Sequence, residues 1–265
     1  RDVERSRGLG DVYKRQCYYC RRGRFNYCVN WQGIGLNRHG AYAEYVTVPV
    51  KNVYRVPDGL SYEAAAFMEP LACCIHGVDR VRAAPGENVA IFGLGPIGLL
   101  HVQLARLSGA SKIIGIDLVD ERLSMAEKLG ADLIVNAAKE DPVKAIKQAT
   151  RGHGVDVVVE ASGSLKAFSQ AIKVLDNTGR MLVFGVAPEG AKVEVEPFEI
   201  YRREISIVGS FTNPLTNERA LKLLASGAVK VSPLITHKVG LKDVLTVFQA
   251  MKARDKKLLK ALVIP

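Results

Sequence analysis

Long uncharged apolar runs are absent from this 265-residue sequence. No stretch of about 18 apolar residues is free of charged side chains, so we expect no membrane span and no membrane partner. The first 16 residues carry five Arg or Lys side chains but no apolar h-region, so they lack the pattern of a secretory signal. These absences predict a cytoplasmic protein.

Several catalytic motifs are also missing. The sequence contains no G-x-S-x-G and no Walker-type phosphate loop, and none of its five histidines has the spacing of H-E-x-x-H. These absences argue against an α/β-hydrolase, a P-loop nucleotidase and a zincin. Cysteine is scarce and odd in number, with five residues. An odd count argues against a disulfide framework and for metal ligation or buried thiols.

Positive charge exceeds negative charge, and the net charge is +10. Residues 1–30 hold eight basic and three acidic side chains, which is half of the excess in one short stretch. Elsewhere the two signs are interspersed. Nucleic-acid binding needs basic side chains clustered on one face, so we expect a solvated surface and no nucleic-acid partner.

Strand and helix patterns alternate after Pro85. Continuous apolar runs separate segments of helical periodicity, which predicts a doubly wound parallel sheet covered on both faces. The predicted strands are 88–92, 112–117, 132–136, 155–161, 180–186 and 204–210, and the predicted helices are 96–108, 120–129, 141–150 and 164–175. The tail from Asn217 predicts two amphipathic helices and two strands, 235–239 and 260–265.

The segment before this alternation has a different character. The runs 43–49 and 52–57 are rich in β-branched and aromatic residues and predict short strands. Ser61 is a predicted helix N-cap, because its hydroxyl can accept a first-turn N–H. Pro70 is expected to kink or end the helix that follows.

A glycine motif follows the first strand of the predicted sheet. Residues 93–98 read GLGPIG, a G-x-G-x-x-G that opens a helix within a β-α-β unit. Gly93 provides a tight turn, Gly95 a close approach to a pyrophosphate and Gly98 helix–strand packing, while Pro96 fits the first helical turn. The helix N-terminus offers N–H donors and a positive dipole end to the phosphates.

Asp117 ends the second predicted strand, 19 residues after Gly98. A carboxylate at this place accepts hydrogen bonds from the adenosine ribose and repels a 2′-phosphate. The two features together predict dinucleotide binding, with NAD preferred over NADP.

Cys17, Cys20 and Cys28 form a partial zinc signature. A C-x-x-C loop places two thiolates on one side of a tetrahedral ion, which takes four ligands. The natural place for a fourth is position 14, where this sequence has Lys14. Residues 1–16 show no periodicity, so we expect them to be foreign or disordered. Three unrelated buried thiols are the alternative.

Glu69 and two further cysteines complete the candidate metal chemistry. Glu69 stands in the apolar stretch AFMEPLACC, where a buried carboxylate is costly unless it is paired or bound to a metal. A salt bridge to Arg80 or Arg82 is the alternative. Cys73 and Cys74 are expected to pack in the core, because free cysteine is often fully buried.

Five segments in this order resemble the zinc-dependent medium-chain dehydrogenases, and within them the sorbitol (L-iditol) dehydrogenase-like group. The segments are 17–28 (CYYCRRGRFNYC), 40–46 (GAYAEYV), 68–72 (MEPLA), 92–98 (FGLGPIG) and 233–239 (PLITHKV). The resemblance implies a Rossmann domain inserted in a GroES-like, β-rich catalytic domain. The implied division is a catalytic remnant with a structural-zinc lobe over 17–80, an NAD-binding domain over 81–212 and a return to the catalytic domain over 213–265.

The resemblance also implies residue roles. Cys17, Cys20 and Cys28 correspond to three of four structural-zinc ligands, and Glu69 to the glutamate that approaches the catalytic zinc. Further positions correspond to NAD contacts, and they are Ile97, Asp117, Arg122, the segment Phe184, Gly185 and Val186, and the segment Ser210, Phe211 and Thr212. The implied cofactors are NAD and Zn²⁺, and the implied partners are an alcohol or polyol substrate and further copies of the chain in a dimer or tetramer.

The implied reaction is hydride transfer from a zinc-polarised alcohol to NAD, with a ketone as product. In this family the first catalytic zinc ligands precede the cysteine lobe, and this sequence begins too late to contain them, so we expect the fragment itself to be inactive. Thr212 and Asn213 replace the Arg-Tyr pair of sorbitol dehydrogenases. A threonine 3-dehydrogenase-like or other alcohol dehydrogenase therefore stays open. So do a zinc-free NADPH reductase and a non-catalytic dinucleotide-binding protein.

Overall fold

A computed structural model describes residues 16–253 and 255–265. The expectations for residues 1–15, including Lys14 as the occupant of the fourth ligand position, lie outside this part. The strands are β1 (Asn88–Phe92), β2 (Lys112–Asp117), β3 (Leu133–Asn136), β4 (Val155–Glu160), β5 (Leu175–Val183), β6 (Ser206–Gly209), β7 (Ile235–Gly240) and β8 (Lys260–Ile264). The α-helices are α1 (Tyr62–Ala65), α2 (Met68–Val81), α3 (Pro96–Leu107), α4 (Asp120–Lys128), α5 (Pro142–Ala149), α6 (Leu165–Val174), α7 (Pro197–Arg203), α8 (Asn217–Ala225) and α9 (Val244–Lys252).

Strands β1 to β6 form one parallel sheet in the order β3-β2-β1-β4-β5-β6. This confirms the doubly wound α/β fold predicted from the alternating pattern. The strand order reverses between β1 and β4, so the crossovers on the two sides leave in opposite directions. Open sheets of this type bind ligands in a crevice at the reversal point, beyond the carboxyl ends of the strands.

The sheet is covered on both faces, because alternate residues of each strand point to opposite sides. In β1, Val89 and Ile91 face the core packed by α2, α3, α4 and α8, whereas Ala90 and Phe92 face the core packed by α5 and α6. The continuous apolar runs of the sequence follow from this double burial. Within the described residues, no helix combines the length and hydropathy that a membrane crossing needs.

Helix α2 precedes the first strand but is part of the sheet's core. Leu71 is fully buried and Ile75 nearly so, and Thr216 at the start of α8 donates a hydrogen bond of 2.7 Å to the carbonyl of Ala72. The core is therefore continuous across the boundaries predicted at residues 80 and 212, and the division into domains stays a prediction. Pro70 does not end or kink a helix: it lies in the first turn of α2, where no intrahelical N–H bond is lost.

The strands predicted at 43–49 and 52–57 are wrong. These segments form bends and irregular chain, with a 3-10 turn at Val50–Asn52. A strand needs a neighbour to satisfy its backbone groups, and among the described residues none pairs with either segment. The tail strands are confirmed, and β7 pairs in parallel with β8 as a separate two-stranded sheet. The Ser61 cap is also confirmed, since Ala64 donates its N–H to the Ser61 hydroxyl at 3.2 Å.

We predict that Leu71→Ala lowers the free energy of unfolding by about 2–5 kcal/mol, because it leaves a cavity where α2 meets the sheet. Chemical denaturation measures the change. The control is Tyr62→Ala, at a side chain that is 84% exposed, which should alter stability by no more than about 0.5 kcal/mol. Equal effects of the two substitutions would show that α2 is not part of the cooperative core.

Candidate functional site

The glycine turn joins β1 to α3 at the crevice. Gly93 has a φ of +89°, which favours glycine, and its N–H donates to the carbonyl of Ile116 at 2.8 Å. A Cβ on Gly98 would lie 1.8 Å from the Gly93 oxygen, so helix and turn approach here more closely than a side chain allows. A Cβ on Gly95 would meet no atom within 4 Å. Its bare backbone at the helix N-terminus therefore faces open space that a phosphate can occupy.

The carboxylate of Asp117 is bound to this turn. One oxygen accepts the N–H of Leu94 at 2.6 Å, and the other accepts those of Leu118 and Val119 at 2.7 and 3.0 Å. A carboxylate offers about four acceptor positions, so these three bonds leave capacity for a ribose hydroxyl. Arg122 on α4 places a guanidinium nitrogen 3.9 Å from Asp117, and its Nε is buried and has no hydrogen-bond partner in the described structure.

The two other predicted cofactor segments lie at the same edge of the sheet. Phe184 follows β5, and its N–H donates to the carbonyl of Glu160 at 3.0 Å. Gly185 donates to the same carbonyl at 2.7 Å, while Val186 is 94% exposed. Ser210 follows β6 and donates its N–H to Val183 at 3.4 Å. The structure thus brings the ends of β1, β2, β4, β5 and β6 together around one crevice.

Glu160, at the end of β4, is a site residue that the sequence analysis missed. It is 1% exposed, and its carboxylate accepts the N–H of Ser162 at 2.9 Å, the N–H of Gly163 at 3.1 Å and the Ser162 hydroxyl. The available signal was the one used for Asp117: an acidic residue that ends a buried apolar strand. Ser162 also lies against the glycine turn, because a Cβ on Gly93 would be 2.8 Å from that of Ser162.

The sulfur atoms of Cys17, Cys20 and Cys28 lie within 4.8 Å of one another. Two 3-10 turns, Cys20–Arg22 and Phe25–Tyr27, bring them together, with a left-handed Gly23 between the turns. Thiolates on one tetrahedral zinc stand roughly 4 Å apart, because each Zn–S bond is about 2.3 Å. The donor set and its spacing therefore fit a zinc ion that takes its fourth ligand from elsewhere.

The cysteine lobe has uneven proton affinities. A hydrogen bond from the backbone of Cys20 is the largest of the effects that lower the pKa of Cys17 to about 6, whereas burial raises the pKa of Cys20 to about 12. The lobe also contacts the segment after β6. Asn26 donates its side-chain N–H to the carbonyl of Phe211 at 2.9 Å, and the Phe211 ring lies 5.8 Å from that of Tyr27.

Glu69 is exposed, so the burial expected for its carboxylate is wrong. It lies in the first turn of α2, and it pairs with neither Arg80 nor Arg82 in the described structure: Arg80 donates its Nε to the Gly209 carbonyl. Cys73, one helical turn on, donates its thiol to Glu69 at 3.4 Å, and burial beside this carboxylate raises the pKa of Cys73 to about 12. Cys73 is only partly buried, whereas Cys74 packs in the core as predicted.

His101 on α3 is buried behind the crevice. Its ring meets that of Phe184 edge to face, with 4.8 Å between the ring centres. Both ring nitrogens are without hydrogen-bond partners in the described structure, and burial lowers the pKa of His101 to about 3. The imidazole is therefore neutral and serves as a packing group behind the segment after β5.

Together these elements define a class: a Rossmann-type fold with a dinucleotide-binding glycine turn, accompanied by a cluster of three cysteines whose spacing fits a metal ion. Two family models match the chain, one over the segment that contains the three cysteines and one over most of the parallel sheet. The alcohol dehydrogenase GroES-like domain matches residues 7–58, and the zinc-binding dehydrogenase model matches residues 96–226.

Individual relatives agree with these matches. The L-threonine 3-dehydrogenase of Rhizobium rhizogenes is 34% identical over 252 residues, which are 94% of this chain and 72% of the relative. The D-arabitol-phosphate dehydrogenase of Enterococcus avium is 37% identical, over 86% of this chain and 65% of its own length. A crystal structure of a zinc-binding dehydrogenase from Sinorhizobium meliloti 1021 bound to NADP superposes with a TM-score of 0.88 at 39% identity, covering 94% of this chain and 73% of the other.

The chain belongs to the zinc-binding dehydrogenase family. This confirms the resemblance to the medium-chain dehydrogenases. The chain is therefore an oxidoreductase of the alcohol and polyol dehydrogenase type, which works with NAD(P) and zinc. The sorbitol dehydrogenase-like subgroup and the roles of individual residues stay predictions.

We predict that Cys28→Ser abolishes tight metal binding by the lobe, because two thiolates cannot hold the ion that three or four hold. Cobalt titration measures this through the sulfur-to-cobalt absorption, which reports thiolate ligands directly. Cys73→Ser is the matched control, since Cys73 lies on α2 outside the cluster. An unchanged cobalt spectrum in Cys28→Ser would contradict the site.

We predict that, because of His101, the free energy of unfolding decreases as the pH is lowered from 6.5 to about 3. The folded pKa lies below the ordinary value, so the unfolded chain binds a proton that the folded chain excludes. The stabilising contribution is thus present above pH 6.5 and is lost as pH falls through this window. The free energy of unfolding of His101→Leu should decline less over the window than that of the unchanged protein. Parallel profiles for the two proteins would contradict the assignment.

Proposed function

We propose that the protein is an NAD-dependent zinc dehydrogenase that oxidises a polyol or secondary alcohol to a ketone. The observation that carries the proposal is the joint placement of the glycine turn and Asp117 at the reversal point of the sheet. A dinucleotide there has its pyrophosphate at the N-terminus of α3 and its adenosine ribose at Asp117. The nicotinamide half of the dinucleotide then extends to the ends of β4, β5 and β6, where residues 184–186 and 210–212 lie.

The choice of NAD over NADP rests on Asp117. Its carboxylate is fixed by three amides and stands where a 2′-phosphate would have to approach, so two negative charges would meet in a nearly buried place. Arg122 acts in the opposite direction, because its guanidinium lies beside the same position and can pair with a phosphate. The Sinorhizobium meliloti relative binds NADP. We infer that Asp117 prevails here, since its engagement with the backbone prevents it from turning away.

Two kinds of zinc chemistry are expected. Cys17, Cys20 and Cys28 would hold a structural ion, which fixes the lobe against the Phe211 segment. Glu69, exposed at the N-terminus of α2, would stand beside a catalytic ion, which would supply Lewis-acid activation of the substrate hydroxyl. The thiol of Cys73 holds the Glu69 carboxylate in place through its hydrogen bond. A bound NAD would supply the hydride acceptor for this oxidation.

The relatives of this chain indicate the class of substrate. Relatives of this chain include an L-threonine 3-dehydrogenase, a D-arabitol-phosphate dehydrogenase and a 2R,3R-butanediol dehydrogenase from Bacillus subtilis. All three names describe a secondary alcohol in a small polar molecule. A threonine 3-dehydrogenase-like activity is the second candidate, favoured by the 34% identity to the L-threonine 3-dehydrogenase of Rhizobium rhizogenes. Cytoplasmic location and assembly into a homodimer or tetramer stay predictions.

Turnover separates this proposal from a non-catalytic dinucleotide-binding protein. NAD reduction is measured with polyols, 2,3-butanediol and L-threonine, before and after treatment with a zinc chelator. Chelator-sensitive reduction with one of these substrates supports the proposal. Tight NADH binding without turnover on any of them favours the non-catalytic alternative.

We predict that Asp117→Ala weakens NAD binding by about tenfold, since hydrogen bonds to a charged group are lost, and narrows the difference between NAD and NADP. Fluorescence titration with NADH and NADPH measures both changes. Asp58→Ala is the control, because the Asp58 side chain is 93% exposed and lies outside the crevice. An unchanged ratio of the two affinities in Asp117→Ala would overturn the cofactor assignment.

A further inference from the structure

The carboxylate of Glu160 holds together the turn that follows β4. It receives the N–H groups of Ser162 and Gly163 and the hydroxyl of Ser162, and it is almost completely buried. A carboxylate placed in the interior is costly unless its oxygens are satisfied by donors. Here the donors all come from residues two and three positions along the chain, so the burial of Glu160 fixes the path of this turn.

The same carboxylate fixes the neighbouring segment after β5. A Cβ on Gly185 would lie 2.7 Å from the Glu160 Oε2 and 2.2 Å from the nitrogen of Gly163, so Gly185 fits only because it lacks a side chain. A Cβ on Gly163 would in turn lie 2.6 Å from the carbonyl oxygen of Val186. The backbones of the two segments are therefore in direct contact, with Glu160 beneath both of them.

These two segments lie on the far side of the reversal point from Asp117. The glycine turn and Asp117 belong to β1 and β2, whereas Glu160 and Gly185 belong to the ends of β4 and β5. A dinucleotide that spans the crevice has one nucleotide on each side. With the adenosine half at Asp117, the nicotinamide half faces the turns that Glu160 holds.

We infer that Glu160 is a positioning residue for the nicotinamide half of the cofactor. It does not reach the cofactor itself. It holds residues 162–163 directly, and residues 184–186 through Gly185, in the arrangement that receives the nicotinamide ring. This inference rests on the proposed dinucleotide function, because it assigns one half of that site.

The test compares two ligands that differ in the nicotinamide ring. NADH contains both halves of the cofactor, whereas ADP-ribose lacks the ring, and both are titrated by calorimetry, so no turnover is needed. Glu160→Gln keeps the size of the side chain but places an NH₂ donor against the amides of the turn. We expect NADH affinity to fall by about tenfold, as for a lost hydrogen bond to a charged group, while ADP-ribose affinity stays within about twofold.

Ser162→Ala is the second variant, because Ser162 is exposed and its loss cannot leave a cavity in the core. The substitution removes one hydrogen-bond donor from Glu160. We expect it to lower the affinity for NADH by about threefold, while the affinity for ADP-ribose stays within about twofold. Glu189→Gln, at an exposed glutamate in the loop after the Val186 segment, is the matched control and should change neither affinity.

Each outcome has a distinct meaning. A selective loss of NADH affinity supports the positioning role. Equal losses for both ligands would show a general structural role and overturn the inference, and so would unchanged NADH binding in Glu160→Gln and Ser162→Ala. If the unchanged protein binds neither ligand, the proposed function itself fails.

Discussion

Burial of the sheet on both faces is the constraint on which the rest of the structure depends. Since β1, β2 and β4 are enclosed by helices, their side chains within the sheet must be apolar, and polar groups are confined to the strand ends. Asp117 and Glu160 are the last residues of β2 and β4. Both carboxylates are nearly buried, and both satisfy their oxygens with backbone N–H groups of the adjoining turns. The crevice is therefore built by two acidic residues, one on each side of the reversal point.

These two carboxylates give the turns at the ends of the strands a defined shape. Asp117 ties the end of β2 to the glycine turn through Leu94, and Glu160 ties the end of β4 to its own turn and, through Gly185, to the segment after β5. The cysteine lobe reaches the last segment of the edge through Asn26 and Phe211. A cofactor would thus meet a preorganised surface, which reduces the conformational entropy lost on binding.

Much of this could be predicted from the sequence, because the relevant signals are local. Apolar runs marked five of the six strands of the sheet to within two residues at either end, and glycine spacing marked the turn. Strand β5 (Leu175–Val183) begins five residues before its predicted start at 180. The remaining features could not be predicted, because they depend on tertiary contacts. Residues 43–57 have strand composition but no neighbour to pair with in the described chain, and the exposure of Glu69 depends on what covers α2. Glu160 carried the same signal as Asp117 and was missed because it belongs to no named motif.

The central claim is that one dinucleotide spans the crevice between Asp117 and Glu160. A crystal structure of the protein grown with NADH tests it most directly. The account predicts the pyrophosphate at the N-terminus of α3, the adenosine ribose on the Asp117 carboxylate and the nicotinamide against residues 162–163 and 184–186. A cofactor bound elsewhere, or one whose adenosine lies on the Glu160 side, would contradict it.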